Sequence, residues 1–181
     1  GESRFDLANT NKFLNMYTGA TGLKTGYTAT AKYCMSATAN RNGITLIAVI
    51  MGAETKDIRN KEVCKLFDYG YANCNLYKDE NVLDTCSVSI ENGISDELAI
   101  ESASDFSSVL LRGEKADDVK KTPVQEETLT APINKGDVIG KMEYSINGRV
   151  LGSVEIVAAE NIKKMTFGYS FKKVLYLAFR S

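Results

Sequence analysis

The sequence predicts an α+β fold. An antiparallel sheet with a covering helix comes first, then a small all-β, sandwich-like domain, then an amphipathic C-terminal helix. Three observations predict it. Asn42-Gly43, the strongest kind of short turn signal, separates two strand-like runs. Residues 54–73 repeat apolar side chains at helical spacing. From about residue 75 onward, short β-like runs alternate with the turn signals Asn92-Gly93, Arg112-Gly113, Lys135-Gly136 and Asn147-Gly148.

Each element follows in order. Residues 32–39 read as a strand, and residues 44–51 as its hairpin partner. The second run is apolar on both faces, as expected of a strand central in a covered sheet. Lys24-Thr25-Gly26 precedes this hairpin by a few residues, so a three-strand meander is the simplest arrangement. In the following helix, Ile58, Val63, Leu66, Phe67 and Tyr71 fall roughly on one face, which can cover the sheet. Residues 142–157 form a second hairpin around Asn147-Gly148. In the last segment Phe167, Phe171, Val174, Leu175 and Ala178 share a helical face, with Lys163, Lys164, Lys172, Lys173 and Arg180 around them. Such a helix suits a membrane surface; the alternative is a helix packed on its own domain. The expected boundaries are 1–74 for the sheet and helix, 75–83 for a linker, 84–160 for the all-β domain and 161–181 for the terminal helix.

Composition excludes several functions. The chain has 181 residues, is 44% hydrophobic and 25% charged, and carries a net charge of -1. That is an ordinary globular balance, with no basic excess to bind nucleic acid. Histidine is absent, which removes Ser-His-Asp and Cys-His catalysis and imidazole metal sites within this chain. No metal and no cofactor are expected. A general base must then be lysine, tyrosine or a carboxylate. None of Cys34, Cys64, Cys74 and Cys86 forms a Cys-x-x-Cys pair. Cys34 and Cys64 lie in apolar segments and are expected as buried thiols. Cys74 and Cys86 flank the expected linker, where a disulfide has only weak support. There is no start methionine, signal peptide or long apolar run, so the chain is expected to be a fragment.

Lys24-Thr25-Gly26 carries the chemistry. Gly26 lets a substrate backbone approach the strand closely, and an exposed edge there can pair with an extended peptide. Lys24 adds a positive charge and Thr25 a hydroxyl donor, both suited to a peptide carboxylate. By itself the triplet is also what an ordinary solvated strand end would show. Arg59, where the helix opens, can hold a carboxylate bidentately, or can be a surface arginine near Asp57 or Glu62. Lys-[Ser/Thr]-Gly is one of three motifs of the penicillin-binding and serine β-lactamase superfamily. Its companions, Ser-x-x-Lys and Ser-x-Asn, normally come before it, and neither occurs in residues 1–23. Ser170-Phe171-Lys172-Lys173 and Ser145-Ile146-Asn147 match those patterns, but in the wrong order and at about the frequency that chance gives.

Taken together, the residues resemble the D-alanyl-D-alanine carboxypeptidases, which are low-molecular-weight penicillin-binding proteins. The resemblance runs through residues 7–14, Gly22-Leu23-Lys24-Thr25-Gly26-Tyr27-Thr28, residues 31–39 and residues 46–53 with Arg59. It continues in the all-β part, notably over residues 129–140. Residues 1–74 then look like the end of a penicillin-binding, β-lactamase-like catalytic domain, represented by its C-terminal part. The resemblance implies serine acyl transfer on peptidoglycan stem peptides ending in D-Ala-D-Ala, with β-lactam antibiotics as substrate mimics. Lys24 would support the site electrostatically and hydrogen-bond the Ser-x-Asn serine. Thr25 and Arg59 would bind the terminal carboxylate, Gly26 would admit the substrate, and the Tyr27 backbone N–H would supply one oxyanion donor.

The nucleophile and the missing N-terminal part of the catalytic domain should lie upstream, so the chain alone should be inactive. Its sheet should then expose an apolar face. The resemblance also implies a location at the outer face of the bacterial cytoplasmic membrane, with the C-terminal helix as anchor. Two competing readings remain: a non-catalytic cell-wall binding or spacer module built on the β domain, and a β-lactamase, against which the β tail counts.

Overall fold

The computed structural model describes residues 9, 11–125, 128–169 and 171. The chain divides into two compact units. One comprises Gly1–Leu76 and Val109–Gly113, the other Tyr77–Ser108 and Glu114–Ser181.

The first unit begins with a short 3-10 turn, Lys12–Asn15, followed by β1 (Ala20–Thr28), β2 (Lys32–Arg41) and β3 (Ile44–Ala53), then α1 (Lys56–Ala72). The strands form an antiparallel sheet in the order β1-β2-β3. Asn42 and Gly43 join β2 to β3 with φ of 51° and 81°. Two successive positive φ values twist the chain as a hairpin requires, and Asn-Gly adopts them at least cost. The side chains of Met35, Ala37, Ala39 and Ala48 face one side of the sheet, where Phe13, Tyr17, Val63 and Phe67 complete a core.

Thr55 caps α1, its hydroxyl accepting from the Ile58 N–H at 3.2 Å. The buried residues of α1 are Arg59, Asn60, Val63 and Phe67. Ile58 and Leu66, expected on the covering face, are exposed. At about 100° per residue, Ile58 falls opposite the buried stripe and Leu66 on its flank. A clamp of aromatic and charged groups ties the helix to the hairpin. The Tyr17 hydroxyl donates to Asp68 at 2.8 Å, and the Arg41 guanidinium lies 4.2 Å above the Tyr17 ring.

One expectation for β3 is corrected. It is an edge strand of the three-stranded sheet, not a central one. Its outer face is open, with Ile47 72%, Val49 57% and Met51 78% exposed. The helix covers one side only, so an apolar pattern on both sides leaves one of them uncovered among the described residues.

Strand β4 (Cys74–Asp79) occupies much of the expected linker 75–83. β5 (Ser87–Glu91), β6 (Glu97–Ser102), β7 (Phe106–Leu111), β8 (Lys120–Gln125), β9 (Leu129–Thr130), β10 (Val138–Ile146) and β11 (Arg149–Ala158) follow. β4 pairs with β7 in a ribbon. The expected sandwich is instead this ribbon and one six-stranded sheet, ordered β8-β10-β11-β6-β5-β9. The sheet is mixed because β5 and β9 run parallel. Asn147-Gly148 turns the β10–β11 hairpin with φ of 49° and 80°. Among the described residues the chain is mostly β with one long helix.

All four cysteines are free, so Cys74 and Cys86 are unbridged. Cys34 and Cys64 are half-buried rather than fully buried, and burial pushes the Cys64 thiol up. Most of the expected C-terminal helix, with Ser170, Lys172, Lys173, Val174, Leu175, Ala178 and Arg180, lies outside the described residues. Phe167 and Phe171 are described; both are exposed, with their rings 6.2 Å apart. No described helix is long and apolar enough to cross a membrane.

In the second unit a half-buried carboxylate, Asp79, bonds to Tyr144, whose ring stacks on Phe106 at 3.7 Å. Asp79 accepts from Lys121 Nζ at 2.7 Å, from the Tyr144 hydroxyl at 2.9 Å and from the Asn81 N–H at 2.9 Å. Burial works to raise the Asp79 carboxyl, but these donors and the Lys121 charge outweigh it and hold it below the usual carboxylate range. A depressed carboxyl adds stability above its unfolded value, near pH ~4, and loses it as pH falls through the folded value. Asp79→Ala is therefore expected to cost about 2–4 kcal/mol in urea unfolding at neutral pH, with a smaller difference below about pH 4. A neutral-pH cost below about 0.5 kcal/mol would contradict this account.

Candidate functional site

Register decides which groups meet. In β1 the residues of the triplet pair with β2 as Lys24↔Ser36, Thr25↔Met35, Gly26↔Cys34 and Tyr27↔Tyr33. Successive strand residues point to opposite faces, so Lys24 and Thr25 part company. β1 is at the edge of its sheet among the described residues, which leaves part of its backbone hydrogen-bonding capacity outward.

Thr25, Gly26 and Tyr27 line a pocket of about 300 Å³. Tyr33 of β2, Lys12 of the 3-10 turn, and Lys56, Asp57, Arg59 and Asn60 of the first turns of α1 close it. The structure thus brings Thr25, Gly26, Tyr27 and Arg59 together. Lys24 is not among the residues that line this pocket. Its side chain is exposed, and Nζ donates to the Thr25 carbonyl at 2.8 Å. The Tyr27 ring packs on Tyr33 with centroids 4.5 Å apart.

Arg59 is not a surface arginine. It is 6% exposed, and Asn60 beside it is 5% exposed. Nε and Nη2 of Arg59 donate to Asn60 Oδ1 at 3.2 and 2.9 Å. Among the described residues no carboxylate pairs with it. Glu62 is taken by Lys65 at 2.7 Å, and Asp57 makes no ion pair with Arg59. Among the described residues that line the pocket, Lys12, Lys56 and Arg59 are cationic and Asp57 alone is anionic. The N-terminal end of α1 adds the positive end of its dipole. The arrangement suits an anion small enough for a half-open cleft.

Packing among the described residues does not require a glycine at position 26. A β-carbon built there meets nothing within 4 Å, so no neighbour in the chain demands a glycine.

The sequence reading missed Lys12, Tyr33, Lys56, Asp57 and Asn60 as pocket residues. Asn60 carried a usable signal: it is a polar residue three and seven positions before Val63 and Phe67, on the stripe that must be buried. Lys12 had none, because only the tertiary path of the 3-10 turn brings it here.

Two family models match the chain. Residues 2–55 match the D-alanyl-D-alanine carboxypeptidase family, and residues 71–164 match the C-terminal domain of penicillin-binding protein 5. The chain belongs to the D-alanyl-D-alanine carboxypeptidase family of penicillin-binding proteins and carries its penicillin-binding protein 5 C-terminal domain. It is 32% identical over 177 residues to the D-alanyl-D-alanine carboxypeptidase DacF of Bacillus subtilis, covering 96% of this chain and 45% of that protein. With DacC of Escherichia coli it shares 30% identity over 149 residues, 81% of this chain and 37% of that one.

Among solved structures, penicillin-binding protein 5 from Haemophilus influenzae superposes with a TM-score of 0.67 at 27% identity, covering 84% of this chain and 45% of that one. PBP3 from Streptococcus pneumoniae, at 22% identity and a TM-score of 0.65, shares the fold. The chain spans less than half the length of these relatives.

The open space at Gly26 makes a stability forecast. Gly26→Ala is expected to change the free energy of unfolding by less than about 0.5 kcal/mol in a denaturant titration. A loss above about 2 kcal/mol would show that the glycine is held by packing instead.

Proposed function

We propose that this chain is the C-terminal part of a serine-type D-Ala-D-Ala carboxypeptidase that trims peptidoglycan stem peptides and is acylated by β-lactams. The observation that carries the reading is the pocket in which Thr25, Gly26 and Tyr27 of an edge strand meet a buried Arg59 that no carboxylate pairs with among the described residues. In this reading residues 1–74 end the catalytic domain, residues 84–160 are the all-β domain and residues 161–181 contact the membrane surface. The enzyme works at the outer face of the bacterial cytoplasmic membrane.

The chemistry is acyl transfer. A serine outside this chain attacks the carbonyl of the penultimate D-alanine, the terminal D-alanine leaves, and water hydrolyses the acyl-enzyme. Thr25 and Arg59 hold the terminal carboxylate of the substrate. Lys24, on the opposite strand face, faces the Ser-x-Asn serine of the upstream part. The Tyr27 N–H donates to the developing oxyanion, a preorganised interaction worth about 3 kcal/mol. Gly26 leaves the strand clear for the peptide to lie along it. The exposed Ile47, Val49 and Met51 supply the apolar face on which the upstream part of the catalytic domain packs.

Intact mass after incubation with benzylpenicillin tests the reading. This chain alone is expected to stay unmodified. The protein extended upstream through its Ser-x-x-Lys and Ser-x-Asn motifs is expected to gain one penicillin and to release D-alanine from an acetylated stem peptide. In that protein Arg59→Gln is expected to lower kcat/KM about a hundredfold, because a site built to bind the carboxylate loses its charged donor. An adduct on this chain alone, at Ser170 or Ser145, would overturn the assignment of the nucleophile.

A further inference from the structure

Arg59 raises a question that carboxylate binding alone does not answer. Burying a guanidinium is costly unless it is paired. The usual partner is a carboxylate, which grips the Nε and Nη2 side of the fork with two oxygens. In this chain both of those nitrogens donate to one amide oxygen, Oδ1 of Asn60. A neutral acceptor fixes the orientation of the guanidinium without cancelling its charge. Arginine carries five N–H donors, and these two bonds leave three of them, on Nη1 and Nη2, as a second fork.

The amide is held in turn. Asn60 Nδ2 donates to Met16 Sδ at 3.4 Å, and arginine cannot accept, so the oxygen must be the end that faces Arg59. Asn60 is nearly fully buried and lines the same pocket, so water does not compete freely for that oxygen.

We infer, resting on the reading that this pocket takes a terminal carboxylate, that Asn60 is a positioning residue whose neutral oxygen aims the Arg59 guanidinium and keeps its charge for the ligand. An aspartate at this position would have the same shape and the same acceptor. Through that one oxygen it would also form an ion pair with Arg59, neutralise it, and compete with the ligand. Asparagine and aspartate at position 60 therefore differ in charge and in the Nδ2 donor that Met16 accepts, while their size is the same.

The test uses the full chain and its Asn60→Asp, Asn60→Ala and Arg59→Gln variants. Each is titrated with N-acetyl-D-alanyl-D-alanine and with the C-terminal carboxamide of the same dipeptide, followed by two-dimensional NMR, with melting curves as the check on folding. Asn60→Asp is expected to weaken binding of the acid at least about tenfold and to leave the carboxamide unchanged, a split that a merely structural role would not produce. Asn60→Ala, which adds no charge, is expected to weaken the acid about three- to tenfold through lost orientation.

If Arg59→Gln weakens the acid while Asn60→Asp binds it like the parent, the inference about Asn60 fails and the carboxylate reading stands. If the parent does not prefer the acid, or Arg59→Gln has no effect, the carboxylate reading fails and this inference with it. Should Asn60→Asp not fold, Asn60→Ala decides: an unchanged ratio of acid to carboxamide affinity overturns the role of Asn60.

Discussion

One face of one helix carries both the core of the first unit and the buried polar pair Arg59 and Asn60. Val63 and Phe67 of α1 pack against Met35, Ala37, Ala39 and Ala48 of the sheet. Arg59 and Asn60 sit one turn earlier on the same buried stripe. Because 3.6 residues make a turn, seating Val63 and Phe67 also places the guanidinium against the end of β1. The site is then as firm as the core beneath it. The cost is a buried cation, which packing alone would not select.

Polar groups are used in two different ways in the two units. Asp79 accepts from a lysine, a tyrosine and a backbone N–H, three donors to one carboxylate. That network is complete and belongs to structure. Arg59 is satisfied by one neutral amide and still lines a cleft. An interior charge with unused donors is the arrangement expected where a ligand completes the set. The contrast is between a half-buried carboxylate with several donors and a buried guanidinium held by one neutral amide.

The two faces of the first sheet differ in the same sense. One is sealed by α1, and the other shows Ile47, Val49 and Met51 to solvent. A soluble unit seldom leaves such a row open without a surface to meet it. The chain spans less than half the length of the curated relatives it matches.

Much was legible in the sequence because it is local. Asn42-Gly43 and Asn147-Gly148 announced their hairpins, since few dipeptides tolerate two positive φ values. Lys24-Thr25-Gly26 and Arg59 were named from residue type and order alone. Tertiary structure decided the rest. It made β3 an edge strand, turned Ile58 and Leu66 outward, and brought Lys12 to the pocket. It also buried Arg59 against Asn60 rather than beside Asp57 or Glu62. Turn chemistry and motif spacing act within a few residues and survive in a one-dimensional reading. Which face is covered, and which charge stays unpaired, depends on what packs across the sheet from tens of residues away.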